Sequence, residues 1–293
     1  MFRARQLAAA SVAGGDGTGW FEKLYAEGEA GAAVVPWVLG EPNESLVEWA
    51  AGLDGPGRLD GRGKRALVVG CGTGDDAEFL AGLGFAVTGF DIAPTAIAAA
   101  RRLHPDSAVR YQVADLLDLP PQWSGAFDLV VEAYTVQPLF GAARAQALAA
   151  LHGPVAPGGT LLVISWATDD ESPERDPAMM PWPLTRAELD AAAGPLRARR
   201  IERFTGRVPP LPRWRAEFAR GPAALHRPAD SRRLTASTTR PAARRHPSAR
   251  HRPTARVRRG SRGQRDGRAG WSPTLGGCPP DPLARAPSGE RRQ

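Results

Sequence analysis

One short stretch, Val68-Val69-Gly70-Cys71-Gly72-Thr73-Gly74-Asp75-Asp76, constrains the fold of this chain more than any other. It closes an aliphatic, β-branched run at 65–70 and opens a run of helical composition at 75–83. Glycines at such a junction let the backbone turn tightly and leave no Cβ in the way of a ligand, while the new helix offers free N–H groups to an anionic group. The loop is not a dinucleotide fingerprint, which wants a third glycine where Asp75 stands. Nor is it a phosphate-binding P-loop, which needs Gly-Lys-Ser/Thr.

The surrounding pattern agrees with a loop of this kind. From Arg65 to about Ile201, short β-like runs alternate with alanine-rich helical stretches, the pattern of an α/β fold with a Rossmann-like, doubly wound, mostly parallel sheet. Strands are expected at 65–70, 86–91, 109–115, 127–134 and 159–167, with the last strands of the sheet at 198–204 and 214–219. Helices are expected at 75–83, 94–103, 142–151 and 184–193. Asp75 with Glu78 matches a helix capping box. Upstream, helices around 20–29 and 43–53 and a turn at Pro36-Trp37 are expected to pack beside the sheet as a lid, preceded by a frayed arm. The chain therefore divides into an arm and helical lid (1–63), a sheet domain (64–220) and a tail (221–293).

Two acids extend the argument. Asp91 ends the strand at 86–91, 17 residues beyond Gly74. In a doubly wound sheet the carboxyl ends of neighbouring strands line one crevice, so Asp91, with Ile92 beside it, can meet a ribose diol there. Asp115 ends the next strand, where it can accept from an adenine amino group while Leu116 lies against the ring. Three sites at successive strand ends suit one extended nucleoside ligand. Gly-x-Gly-x-Gly followed by acids suits S-adenosylmethionine, which has no phosphate for Asp75 and Asp76 to repel.

Val69-Gly-Cys-Gly-Thr-Gly74, Gly89-Phe-Asp-Ile-Ala-Pro-Thr-Ala-Ile97, Ala114-Asp115, Phe127-Asp-Leu-Val-Val-Glu132 and Ala156-Pro-Gly-Gly-Thr-Leu-Leu162 resemble, in order, the motifs of class I S-adenosylmethionine-dependent methyltransferases. Trp20-Phe-Glu-Lys-Leu-Tyr25, Pro36-Trp37 and Gly40-Glu-Pro42 resemble the N-terminal part of the thiopurine methyltransferase-like branch. That resemblance implies a cofactor site of Gly70, Cys71, Gly72, Gly74, Asp75, Asp91, Ile92, Asp115 and Leu116, closed by Trp20 and Trp37. It also implies methyl transfer to a small-molecule acceptor, a thiol or other soft nucleophile if the branch holds. One departure stands out: many class I enzymes carry an acid where this chain has Val68, so Asp75 or Asp76 would have to supply that contact.

Transfer from a sulfonium needs in-line positioning more than covalent help, and a base only where the acceptor must lose a proton. Glu132 and Tyr134, at the end of the fourth strand, are the candidate catalytic residues. Gln137, Trp166, Asp169 and Asp170 are further candidates to line the acceptor pocket, and each aromatic has simple packing as its alternative. The absence of Asn-Pro-Pro-Tyr or Asp-Pro-Pro-Tyr after that strand argues against amino methylation of nucleobases or glutamine. Among five histidines, His104 and His152 sit at helix ends and none forms a metal or triad constellation.

Charge separates the tail from the rest. Residues 221–293 hold 17 of the 38 Lys and Arg and 4 of the 31 Asp and Glu, leaving 1–220 with 21 basic against 27 acidic residues, net −6. The high pI thus belongs to the tail, and the remainder has the charge of an ordinary enzyme rather than a nucleic-acid-binding fold. Rich in Arg, Pro, Ala, Ser and Gly, the tail cannot bury enough apolar surface to fold and is expected to be disordered. It reads alternatively as an anchor for RNA in an RNA methyltransferase, or as a shifted-frame translation of GC-rich sequence in a damaged or cofactor-binding but inactive product. Only Cys71 and Cys278 are present, so neither a disulfide framework nor a Cys-based zinc site can form, and a reducing, cytoplasmic setting is the default. No apolar run approaches the roughly 20 residues of a membrane span.

Overall fold

The computed structural model describes residues 1–52, 59–170, 180–207 and 209–222. All of them fall within one compact unit, Met1–Ala229. Beyond its first two residues, the tail expected to be disordered lies outside the described residues.

Seven strands form one sheet in the order β3-β2-β1-β4-β5-β7-β6. They are β1 (Arg65–Val69), β2 (Ala86–Asp91), β3 (Arg110–Val113), β4 (Phe127–Ala133), β5 (Val155–Trp166), β6 (Arg197–Thr205) and β7 (Pro212–Ala219). The first five run parallel, and β7 lies antiparallel between β5 and β6. A β6–β7 hairpin therefore completes the sheet, and β7 ends immediately before the change in composition at Arg220.

The inner parallel strands β1, β2, β4 and β5 are covered on both faces, which explains their largely apolar sequences, whereas the edge strand β3 is mostly exposed. On one face Ala66, Val68, Val87, Leu129, Val131, Leu162 and Ile164 meet α3 (Glu44–Ala51), α4 (Asp75–Gly82) and α5 (Pro94–Leu103). On the other, Leu67, Val69, Phe90, Val130, Leu161, Val163 and Phe218 meet α6 (Gly141–Ala150) and α7 (Arg186–Ala193). Val68, where the resemblance would favour an acid, is a core residue of the first face.

Several expectations are corrected. The arm is not frayed: α1 (Phe2–Ala13) buries Ala4, Leu7 and Ala8, spaced to form one helical face, against α2 (Trp20–Glu29) and the segment around Met180 and Trp182. Arg3 pairs with Glu27, and Arg5 donates to the Met180 carbonyl at 2.7 Å. Strand β3 stops at Val113 because the chain turns at Asp115, whose Oδ1 accepts from Leu117 N at 2.8 Å. Strand β5 starts at Val155 rather than 159, since a register shift between Phe127 and Leu129 accommodates the intervening residues. The capping box at Asp75 is absent: Gly74 is the N-cap of α4 and makes no side-chain cap, while Glu78 accepts instead from Tyr111 Oη at 2.5 Å. A capping box does form at Thr185 and Glu188, opening α7.

Candidate functional site

The sheet reverses winding between β1 and β4, and the crevice beside such a reversal at the carboxyl ends of strands is where α/β sheets take ligands. The glycine loop lies there. Gly70, Gly72 and Gly74 have φ of 60°, 53° and 100°, values at which a side chain is strained. A Cβ on Gly70 would collide with the Thr135 side chain, and one on Gly72 would come within 2.9 Å of the Tyr25 hydroxyl. The loop needs glycine both for its turn and for the approach of its neighbours.

Asp91 secures this loop from β2. One carboxylate oxygen accepts from Gly72 N at 3.0 Å and the other from Ala93 N at 2.9 Å. Burial pushes the carboxyl up to about 6, although the N–H groups of Ala93, Gly72 and Ile92 pull it down. Each oxygen has a second lone pair beyond these bonds. Cys71 is buried in the same loop, and burial beside Asp91 holds its thiol well above the ordinary value, so it is an inert packing residue rather than a nucleophile.

Neither of the paired acids caps α4. Asp75 Oδ2 accepts from Thr73 Oγ1 at 3.0 Å within the loop. Asp76 Oδ1 accepts from Asn43 N at 2.6 Å, which ties the N-terminus of α3 to that of α4. Burial raises the Asp76 carboxyl to about 6. Asp115 stands in the turn after β3, and Leu116 is buried with Phe90 and Trp123 beneath it.

The lid closes over the loop through a residue that the sequence reading did not single out. Tyr25, buried on α2, packs with Ala93 and Ala96 at the start of α5 and accepts from Trp37 Nε1 at 2.8 Å. Burial and the nearby Asp91 drive its phenol well above the ordinary value, so it stays neutral. Glu22 anchors the same helix: its carboxylate accepts from Thr95 N at 3.0 Å and Thr95 Oγ1 at 2.6 Å, satisfying orphan donors at the N-terminus of α5. Trp37 is partly buried with its ring edge-on to Tyr25, Trp20 and Phe21, whereas Trp20 is fully packed among α1, α2, Met180 and Trp182 and belongs to the core of the lid. The signal for Tyr25 was available in the helical spacing of Trp20, Leu24 and Tyr25, all buried on α2.

After β4 the two candidate catalytic residues face different ways. Glu132 is 0% exposed; its Oε1 accepts from Thr135 N at 2.8 Å and Val136 N at 3.0 Å, while its Oε2 has no partner. Burial pushes this carboxyl up to about 7, against those N–H groups and the Arg144 guanidinium. Glu132 thus fastens the turn that carries Thr135, whose hydroxyl donates to the Val69 carbonyl at 2.9 Å beside Gly70. Tyr134 instead points toward α3, its ring 6.4 Å from that of Trp166. Gln137 is buried and structural, accepting from Trp166 N at 3.0 Å, and Asp169 pairs with Arg203. Behind the turn, buried Arg144 pairs with Glu188 at 2.6 Å and donates to the carbonyls of Val136, Gln137, Trp182 and Pro183.

A cavity of about 260 Å³ lies at the opposite, amino edge of the sheet among Trp49, Lys64, Phe85, Asp128 and Glu217. It is remote from the glycine loop, and the chemistry described above does not use it. Among the described residues there is no cluster of His, Cys, Asp and Glu suited to a metal ion, and no helix is long and apolar enough to cross a membrane.

Comparison with known proteins is consistent with this geometry. A methyltransferase domain family matches residues 67–163, from within β1 to within β5. A ubiquinone biosynthesis O-methyltransferase of Xanthomonas oryzae pv. oryzae is 43% identical over 75 residues, 25% of this chain and 31% of that protein. Its counterpart in Xanthomonas axonopodis pv. citri is 41% identical over the same length. The match thus spans about a third of the length of these curated relatives. Among solved structures, one concerned with the conversion of a disulfide bond into a thioacetal group during echinomycin biosynthesis is 26% identical, with a TM-score of 0.53, covering 70% of this chain and 94% of that one. The N-methyltransferase NodS from Bradyrhizobium japonicum WM9, in complex with S-adenosyl-L-homocysteine, shares the fold at 19% identity and a TM-score of 0.51, covering 68% and 98% of the two chains.

Proposed function

We propose that this chain, which carries a class I S-adenosylmethionine-dependent methyltransferase domain, transfers a methyl group from that cofactor to a small-molecule acceptor. The observation that carries the reading is the Asp91–Gly72 arrangement. A buried carboxylate at the carboxyl end of β2 accepts from Gly72 N in the glycine loop with one oxygen and from Ala93 N before α5 with the other, and its remaining acceptor capacity suits the hydroxyls of a ribose. Gly70 and Gly72 let the Thr135 and Tyr25 side chains close against the loop, and the acceptor capacity left on Asp91 fits the ribose of the cofactor. Asp115 and Ile92 flank the cleft on the adenosine side, and Tyr25 with Trp37 would cover it.

The bound cofactor supplies a methyl group already activated by a sulfonium. What the chain supplies is position: Asp91 and the loop hold one partner, and the lid excludes water. The fully buried Glu132 acts as a clamp on the turn rather than as a base open to an acceptor. This favours an acceptor that ionises near neutral pH without an enzymic base, a thiol or an acidic hydroxyl. Residues 64–220 would be the catalytic domain, 1–63 its lid and 221–293 an appendage that does not contribute to cofactor binding.

Calorimetric titration of S-adenosylhomocysteine and S-adenosylmethionine into full-length protein tests the reading. Asp91→Ala loses charge-assisted hydrogen bonds of about 1.5–3 kcal/mol, so its affinity should fall roughly 10- to 150-fold. Folded protein that binds neither compound would refute the assignment. Release of S-adenosylhomocysteine in the presence of thiols and phenols then separates turnover from mere binding.

A further inference from the structure

At the amino edge of the sheet, away from the glycine loop, a recess of about 260 Å³ opens on the face covered by α3. It falls just below the roughly 300–1,000 Å³ of drug-sized sites, so an occupant is limited to about the size of an amino acid. Leu129 of β4, flanked in register by Ala66 of β1 and Thr160 of β5, forms its floor. Trp49, in the last turn of α3, and Phe85, just before β2, form its apolar walls.

Two cations, Lys64 and Arg199, and two carboxylates, Asp128 and Glu217, line the recess, so its formal charge sums to zero. Toward β7, Glu217 accepts from Trp49 Nε1 at 3.3 Å and from Arg199 at 3.4 Å, and these groups satisfy one another. Toward β1, the Lys64 and Asp128 side chains pair neither with each other nor with another side chain among the described residues. Asp128 spends Oδ2 on Arg65 N, 2.8 Å away, and keeps Oδ1 free. Asp60, the acid nearest Lys64 in sequence, is held by Arg62 at 3.1 Å. A ligand with a net charge would gain from one of Lys64 and Asp128 and be repelled by the other. A zwitterion meets both, and an apolar side chain on it covers the exposed parts of Trp49 and Phe85.

We propose that this recess is a second ligand site, separate from the cofactor cleft, for a free α-amino acid with an apolar or aromatic side chain. The ligand carboxylate meets the Lys64 ammonium, its ammonium meets Asp128 Oδ1, and its side chain lies on Leu129 between Trp49 and Phe85. Discrimination comes from the two free charges, because a molecule that carries only one of the complementary groups leaves the other charge facing an apolar body. The site stands apart from methyl transfer, since it lies at the opposite edge of the sheet from Asp91 and Gly72.

The test titrates L-phenylalanine into full-length protein, with and without saturating S-adenosylhomocysteine, and reads binding by saturation transfer from protein to ligand protons in NMR. Two controls each lack one charge: 3-phenylpropionate has no ammonium and 2-phenylethylamine no carboxylate. We expect L-phenylalanine to bind about fivefold tighter than either control, the upper end for a solvent-accessible ion pair, and equally well with S-adenosylhomocysteine present. Lys64→Met should weaken L-phenylalanine about fivefold and leave 2-phenylethylamine within about twofold. Asp128→Asn, which keeps an acceptor for Arg65 N, should weaken L-phenylalanine about fivefold and leave 3-phenylpropionate within about twofold. Both residues are exposed, and the control ligand that each variant retains reports that it is folded. L-phenylalanine binding no tighter than either control, affinity unchanged in either variant, or no saturation by about 10 mM would each overturn the proposal. Displacement of L-phenylalanine by S-adenosylhomocysteine would also overturn it, by placing the amino acid in the cofactor cleft. Failure of the wild-type protein to bind S-adenosylhomocysteine would instead refute the methyltransferase reading, and the remaining comparisons would still decide this site.

Discussion

Replacing Glu132 by Gln should make the protein more stable at neutral pH and change the way stability depends on pH. In the folded protein burial raises the Glu132 carboxyl from its ordinary 4.5 to about 7. The folded state therefore holds this proton more tightly than the unfolded chain does. The corresponding stability is fully present below about pH 4.5 and is lost as pH rises through about 7. At about 1.4 kcal/mol per tenfold change in proton activity, the loss across that window is roughly 3 kcal/mol. Gln keeps the acceptor that meets Thr135 N and Val136 N, has nearly the same shape and cannot ionise. Wild type and Glu132→Gln should accordingly be close in stability near pH 4.5, and the variant should pull ahead by about 3 kcal/mol by pH 8. Burial also raises Asp76 and Asp91 from 3.8 to about 6, but these are common to both proteins and cancel in the difference. Urea unfolding of both full-length proteins at half-unit pH steps measures it. A difference that stays constant from pH 4.5 to 8, or that grows in favour of wild type, would refute the account of Glu132 as a buried carboxyl that loses its proton reluctantly.

Three further outcomes follow from the same geometry. Gly72→Ala places a Cβ at φ +53° and 2.9 Å from the Tyr25 hydroxyl, so it should cost about 1–2 kcal/mol in thermal or urea unfolding and disturb the Tyr25–Trp37 contact; unchanged stability and unchanged tryptophan emission would count against the lid as described. Arg144→Ala removes a buried cation that holds Glu188 and four carbonyls, and should destabilise the protein by about 3–5 kcal/mol in urea titration, a loss below 1 kcal/mol being incompatible with the network. Removal of the Glu22 carboxylate in Glu22→Ala uncaps α5 and should cost about 1 kcal/mol while loosening the lid, read as faster amide exchange across α2; protection equal to wild type would argue against the anchor.

The parts of this molecule that were legible in its sequence are those whose chemistry is written over short spans. Strand β2 and helices α2 and α5 have the expected bounds, because alternation of buried runs with Ala-rich stretches is a local signal and Pro94 marks a helix start. The place of Asp91 beside the glycine loop was legible because an acid ending an apolar strand is a local signal, but its bonds to Gly72 N and Ala93 N were not. The contacts that assemble the lid were not, since Glu22 reaches Thr95 across 73 residues and Trp49 reaches Glu217 across 168. Asp76 and Glu78 read alike as helix-start acids, yet one holds Asn43 and the other Tyr111, partners 33 residues away in opposite directions along the chain. In β4, the acid within Phe-Asp-Leu-Val-Val-Glu signalled something unusual at Glu132, but nothing local told a base from a clamp on the following turn.

The three raised carboxyls explain one another. Asp76, Asp91 and Glu132 are each buried near the carboxyl edge of the sheet, and each accepts a backbone N–H from a segment that borders the cleft: Asn43 before α3, Gly72 in the loop, and Thr135 after β4. As carboxylates they hold these segments more firmly than neutral amides would, because a hydrogen bond to an ionised acceptor is about twice as strong as one between neutral groups. The same charges weaken the fold at neutral pH, as the upward displacement of all three shows. A fold selected for stability alone would carry Asn or Gln at these positions. Retaining three carboxylates where the loops must be ordered, around a cleft suited to a cationic sulfonium, is the trade expected when positioning is worth more than the few kcal/mol it costs.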